Sequence, residues 1–407
     1  MDLFFSKPGV MSCAGKNIDE LWNSVLSGNQ SNIKRVKACN GDEFFAARIS
    51  DSDLKPADSR YDMKIIRIEE QALSQITDDI KAAVERYGAE RVAVCVGSCD
   101  NGTEFSLAGH KKYFAEGEFP KEYNLEIQGA DYVSTYIAER FGLKGPVNTF
   151  STACSSSAGA IIKAAEMILG GLFDAAVVGG IDIASDTTLI GFSALEAVSS
   201  EITNPFSKNR HGITLGDGAA FFVLSREPLK RENQNDFGIK LLGWGESADA
   251  YHMTSPDPSG AGAEKAIRRA LESSGICASD VGYINLHGTG TKFNDSMEAK
   301  AVASVFGDSK VFVSTTKPVT GHTLGAAASL ELALCWKALV ANNCEKNDNR
   351  KLPVQVWDGE FDSELPVLNF VGKETFEKNT AIKGNLKVCL SNSFAFGGAN
   401  ACLVIGV

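Results

Sequence analysis

Short, wholly apolar runs alternate along this chain with stretches whose apolar residues recur at helical spacing. Residues 91–96 (RVAVCV), 147–152, 174–183 (DAAVVGGIDI) and 219–224 (AAFFVL) read as buried strands. Between the second and third of these, residues 161–169 carry the helical period after a serine-rich start. The rhythm then repeats. Strands are predicted at 240–244, 281–286 and 310–314, helices at 262–274 and 296–306, and a long apolar helix at 324–340. Strands at 386–391 and 401–405 close the chain. Strands alternating with helices predict an α/β fold.

No tandem repeat is visible by identity, but the two halves echo each other. Each contains a strand, a polar turn and then a small-residue helix: STACSSSAGA at 151–160 and TTKPVTGHTLGAA at 315–327. Two related halves facing each other would bring these turns together. The polar stretch at 231–236 (RENQND) reads as the surface crossing, which sets the halves at residues 1–235 and 236–407. A second polar, loop-rich region is expected at 342–362.

The length of 407 residues exceeds one ordinary core and agrees with two halves. A hydrophobic fraction of 44% and a charged fraction of 22% are those of a globular enzyme, not of a disordered chain. The net charge of −11 argues against wholesale binding to nucleic acid or to an anionic membrane. Docking to an acidic protein would require a local Lys/Arg patch. The ten cysteines include no CxxC pair, which removes the usual zinc and dithiol signatures. The first residues lack the apolar stretch of a signal peptide, no membrane span is expected, and a reducing cytoplasm is the expected location.

Cys154 changes the picture. It follows an apolar strand and precedes a helix with small first-turn residues, so the expected place of its thiol is a helix N-terminus that favours the thiolate. Taken singly, a free cysteine is most often a small buried hydrophobe. The surrounding hydroxyl and glycine residues point instead to a nucleophile. His287, opening HGTGT, and His322, within KPVTGHTLGAA, occupy further strand-to-helix turns, where α/β sheets present reactive groups. His110, His211 and His252 read as surface or supporting residues, His252 bordering the site. The paired glycines of FAFGGAN at 394–400 permit a tight turn whose N–H groups can hold an oxyanion.

Together these segments resemble the β-ketoacyl-[acyl-carrier-protein] synthases, the Cys-His-His condensing enzymes of the thiolase superfamily. The resemblance is carried, in order, by TACSSS around Cys154, NPFSKNRHGITLGDGAA at 204–220, HMTSP at 252–256, HGTGT at 287–291, TKPVTGHTLGAAASLE at 316–331 and NSFAFGGAN at 392–400. It covers essentially the whole chain. It implies a five-layered αβαβα thiolase fold of two similar halves. It also implies decarboxylative condensation of an acyl thioester on Cys154 with malonyl-acyl carrier protein, giving 3-oxoacyl-acyl carrier protein.

The roles it assigns are specific. Cys154 is the nucleophile, and His287 and His322 hold the malonyl thioester carbonyl. Lys317 supports this pair, with Glu331 as its buried partner. The N–H groups of Cys154 and Phe396 form the oxyanion hole, Phe396 also being an aromatic gate. Thr289, Thr291, Thr254, Phe394, Gly397 and Gly398 contact substrate or its arm. No metal and no cofactor are implied beyond the 4′-phosphopantetheine arm of the carrier. Acyl carrier protein is the implied partner, docking at Lys208, Arg210, Lys230 and Arg231. The active unit is a homodimer or a heterodimer with a chain-length-factor-like subunit.

Departures from the common pattern are Lys292-Phe293-Asn294 after HGTGT, Glu196 where some members place an arginine, and Ala328 where glycine is frequent. These leave substrate length and carrier choice open, while the cluster HGTGTKFND, GWGESADAYHM and NPFSKNRHG resembles an aryl polyene-type ketosynthase. A degradative thiolase is disfavoured because residues 392–399 contain no second cysteine. A non-catalytic chain-length subunit would lack Cys154, and a carrier-independent starter synthase would have Asn in place of His322.

Overall fold

The computed structural model describes residues 2–57, 62–229, 238–307, 311–343, 351–372 and 386–407. Ten strands carry the architecture, five from each half. β1 (Gly9–Ser12), β2 (Val92–Gly97), β3 (Val147–Phe150), β4 (Ala175–Asp182) and β5 (Gly218–Ser225) form the first set. β6 (Lys240–Ala248), β7 (Tyr283–Asn285), β8 (Phe312–Ser314), β9 (Val388–Phe394) and β10 (Ala399–Gly406) form the second.

The first set lies in the order β3-β2-β4-β5-β1 and the second in the order β8-β7-β9-β10-β6. Within each half that is the third, second, fourth, fifth and first strand. In both, the first three are mutually parallel and the last two add antiparallel. The faint sequence echo thus corresponds to a duplicated topology. The two-residue strand Phe4–Phe5 pairs with both β5 and β6 and joins the sets into one sheet.

Strand alternation sorts the side chains into layers. In β2, Val92, Val94 and Val96 face outward onto α1 (Lys64–Leu73), α2 (Thr77–Tyr87) and α3 (Tyr132–Phe141). The alternate Ala93 and Cys95 face inward, toward α4 (Ser156–Leu169). In the second half, Ile284, Leu390 and Val404 pack outward against α5 (Ala261–Ser274) and α6 (Lys292–Phe306). α7 (Ala327–Asn343) lies with α4 between the sheets, where Ile161, Ile162, Leu330 and Leu334 share one core with Leu403 and Ile405. These layers are the αβαβα arrangement.

The stretch Leu324–Asn343 is long and apolar enough to cross a membrane, but it is mostly buried in this middle layer. A helix sandwiched between sheets is apolar all round for that reason.

Several boundaries differ from expectation. β9 continues to Phe394 and β10 begins at Ala399, so only residues 395–398 of SFAFGGAN form the turn. α6 starts at Lys292, directly after HGTGT. The apolar segment at 324 opens with a short 3₁₀ turn, Leu324–Ala326, before α7 begins. Of the polar region at 342–362, Asn342 and Asn343 complete α7, and residues 344–350 lie outside the described residues. The half-boundary at 235 and the crossing at 231–236 also lie outside them.

Candidate functional site

Cys154 stands on an elbow between β3 and α4. Ala153 adopts φ +50°, a left-handed conformation that a side chain disfavours. The motif's own hydroxyls hold it there. Ser156 Oγ donates to the Ala153 carbonyl at 2.6 Å and accepts from Thr152 N at 2.9 Å. Ser155 Oγ donates to the Thr152 carbonyl at 2.9 Å. Ser157 Oγ accepts from Ser329 N at 3.0 Å, tying the elbow to α7 of the other half. The serine run is the frame of the turn.

Both imidazoles converge on the sulfur. His322 Nε2 lies 3.0 Å from Cys154 Sγ, across 168 positions of sequence. The rings of His287 and His322 meet edge to face at 5.4 Å. One atom each from Cys154, His287 and His322 falls within 4.8 Å of the others. The hydrogen bonds assign the tautomers. Leu324 N–H donates to His322 Nδ1 at 3.2 Å, and the Lys317 ammonium lies 3.4 Å from His287 Nδ1. Both Nε2 atoms therefore carry the proton and present N–H donors.

Lys317 is buried, donates to the His287 carbonyl at 2.5 Å and pairs with Glu331. Burial and the Lys317 charge hold both histidines well below their usual range, His287 being lowered further by its neighbour His322. Both are neutral at neutral pH. Burial pushes Glu331 up to about 7, against the pull of Lys317.

The thiol departs from expectation. Burial pushes Cys154 up to about 11; the Lys317 charge and the N–H groups of Phe396 and of Cys154 itself act in the lowering direction without overcoming it. The helix start does not yield a low-pKa thiol, because the desolvated pocket penalises the anion more strongly. The same two N–H groups point at the sulfur and can reach an oxygen of a thioester formed on it.

A cavity of about 340 Å³ opens beside this centre, lined by residues that include Thr254, Thr291, His211, Phe394 and Phe396. Phe396 packs against Phe192, with centroids 5.8 Å apart. Phe394 lies edge-on to His287 at 6.2 Å. Thr289 is buried behind Thr291, its Oγ1 3.1 Å from that hydroxyl. His211 lies within hydrogen-bond reach of the Ser199 and Ser200 hydroxyls. His252 is exposed and accepts the Thr254 N–H at 3.2 Å.

Gly397 and Gly398 do not line the cavity. Their φ values of +83° and +78° make the turn, and a Cβ on Gly398 would lie 2.9 Å from that of Asp249. Their contribution is to aim the Phe396 N–H. Two of the expected docking cations are paired within the chain. Arg210 is buried in an ion pair with Asp362 at 2.5 Å, and Lys208 pairs with Glu360 at 2.6 Å. Lys230 and Arg231 lie outside the described residues.

Buried carboxylates that sequence reading missed hold the turns in place. Glu298 accepts the N–H groups of His287 and Gly288 at 2.8 and 2.7 Å, and the Asn392 amide at 3.1 Å. Asp295 accepts from Phe206 N and Gly290 N. Asp182 accepts from Ser98, Cys99, Asp100 and Gly325. Glu298 and Asp295 follow HGTGT within one helical segment, a proximity that could have flagged them; Asp182, at the end of a strand, had no such signal.

A thiol and two imidazoles are also possible ligands for a soft metal. Their donor atoms lie within 4.8 Å of one another, but the neighbouring Lys317 ammonium disfavours a cation there.

Residues 9–229 match the family description "Beta-ketoacyl synthase, N-terminal domain" and residues 239–349 match "Beta-ketoacyl synthase, C-terminal domain". The 3-oxoacyl-[acyl-carrier-protein] synthase 2 of Coxiella burnetii is 33% identical, over 98% of this chain and 96% of its own. Among solved structures, a ketosynthase (ApeO) in complex with its chain length factor (ApeC) from Xenorhabdus doucetiae is 34% identical. It covers 100% of this chain and 98% of its own, with a TM-score of 0.87. The ishigamide ketosynthase/chain length factor is 25% identical over 100% of this chain and 99% of its own, with a TM-score of 0.83.

Proposed function

The chain belongs to the β-ketoacyl synthase family, and from that premise we propose that it extends acyl chains by decarboxylative condensation with malonyl-acyl carrier protein. The observation that carries the reading is the convergence of one thiol and two neutral imidazole N–H donors in a buried pocket.

The geometry supports a two-stage reaction. Cys154 Sγ attacks the acyl thioester as its proton passes to the carrier's departing sulfur, which leaves as a thiol, and the acyl group stays on Cys154. Malonyl thioester then enters with its carbonyl oxygen against the Nε2–H groups of His287 and His322. Loss of carbon dioxide leaves an enolate, whose negative oxygen those two donors hold. Its carbon attacks the acyl carbonyl on Cys154, the N–H groups of Cys154 and Phe396 hold the oxyanion, and Cys154 departs as a thiolate that takes up one proton to return as the thiol. Charge develops where donors already stand, among side chains that are themselves buried.

Lys317 keeps His287 neutral and correctly protonated, and Glu331 balances the lysine's charge. The scheme uses no cofactor beyond the carrier's arm. It needs a reduced thiol, consistent with a cytoplasmic setting; the nine cysteines among the described residues are free.

A second chain is part of the reading. Among the described residues β3 is an edge strand bonded only to β2, and its first residue, Val147, is 39% exposed. The relatives solved with chain length factors support pairing with such a subunit, or with a second copy.

The test supplies malonyl- and acyl-carrier protein and follows acyl-enzyme, carbon dioxide and 3-oxoacyl product by mass spectrometry. Cys154→Ala is expected to lose acyl loading and keep decarboxylation. His287→Ala and His322→Ala are expected to lose decarboxylation by roughly 100-fold or more while still accepting the acyl group. Normal condensation by Cys154→Ala would sink the proposal.

A further inference from the structure

The mouth of the cavity holds large apolar side chains in water. Phe293 is 67%, Met253 77% and Leu195 53% exposed. They come from three separate elements: the first turn of α6, the loop after β6, and the end of helix Asp186–Ala194. Leu195 and Phe293 stand at the cavity rim. Met253 stands at the same opening, since it precedes the lining residue Thr254 and its carbonyl accepts the N–H of Gly397, next to Phe396. Scattered exposed apolar residues need no explanation, but three converging on one opening do.

Charge does not dominate this rim. Among residues lining the cavity, Lys292 is matched by Glu196. The nearby cations Lys208 and Arg210 are taken up by Glu360 and Asp362. The chain's net charge of −11 sets an unfavourable field for an acidic partner.

We infer that Leu195, Met253 and Phe293 form an apolar collar on which the body of the acyl carrier protein seats, so that carrier recognition rests on apolar contact more than on ion pairs. This rests on the proposed reaction. An arm threaded through the mouth toward Cys154 leaves the carrier's folded body at the opening, against whatever rims it. Water-exposed apolar side chains there gain by being covered, and central apolar anchors dominate such contacts. The collar includes Phe293, one of the positions at which this sequence departs from the common family pattern, and therefore selects among carriers.

The experiment compares two malonyl donors, the carrier-bound thioester and a short pantetheine thioester, with wild type, Met253→Ser and Phe293→Ser. Each substitution is expected to raise KM for the carrier-bound donor about 5- to 30-fold, roughly the range of a moderate interface anchor. Turnover of the short thioester by Met253→Ser, a residue outside the cavity lining, is expected to stay unchanged, and raising salt from about 50 to 300 mM is expected to weaken carrier use less than 3-fold, since little charge is screened. Unchanged KM in both variants, equal loss with the short thioester, or a steep salt dependence would each overturn the collar. Wild type that condenses neither donor would instead count against the reaction itself.

Discussion

At Cys154 two expectations pull in opposite directions: a helix start favours a thiolate, and burial favours a thiol. Burial wins, placing the group at about 11. A raised thiol pKa means that the thiolate fraction keeps growing about tenfold per pH unit until that value is approached. Alkylation of Cys154 by iodoacetamide is therefore expected to climb through pH 8, 9 and 10 without levelling off. Mass spectrometry of the peptide containing Cys154 reads this directly, and a plateau below pH 9 would contradict it. The histidines behave oppositely. Their pKa values are lowered, so they stay neutral through the ordinary imidazole range and their donors persist there. Residue types at the site were legible: Cys154, His287, His322, Lys317 and Glu331 all meet. Glu298 and Asp182 were not, because nothing in a local window marks a carboxylate as buried beneath a turn.

At the scale of the element, the elbow is built against strand β2. Gly97 ends that strand, and a Cβ there would stand 2.2 Å from Ser157 N in the first turn of α4. Backbone cannot yield as a flexible side chain does, so Gly97→Ala must displace the turn that carries Cys154. The expected cost is about 1–3 kcal/mol of stability. It is measurable as a lower urea midpoint, accompanied by reduced acyl loading of Cys154. A variant with native midpoint and native loading would show that the elbow tolerates the methyl. Period-two strands and the long apolar helix were readable because their patterns are local. The continuation of β9 through Phe394 was not, since glycines and aromatics after it resemble a turn. The bond from Leu324 N–H to His322 Nδ1 spans only two positions, but it needs Leu324 at φ +51°, which no local pattern announces.

At the scale of the molecule, the halves share their middle layer. α4 belongs to the first half and α7 to the second, and each packs between both sheets. Neither half can bury its inner sheet face without the other, so unfolding is expected to be one cooperative event. Leu334→Ala, in that shared core, is expected to lower stability by about 2–5 kcal/mol. Circular dichroism and tryptophan fluorescence should shift together along a urea titration. Two separated transitions would show that the halves fold independently.

The sequence by itself determined which stretches become strands and helices, and which reactive residues sit at their ends, because alternation and turn chemistry act over a few neighbours. Only the tertiary structure decided that His322 meets Cys154 across 168 positions, that both imidazoles are neutral N–H donors, and that the thiol is raised, not lowered. Those outcomes depend on how far water is excluded and which charges come close, and both are set by long-range packing.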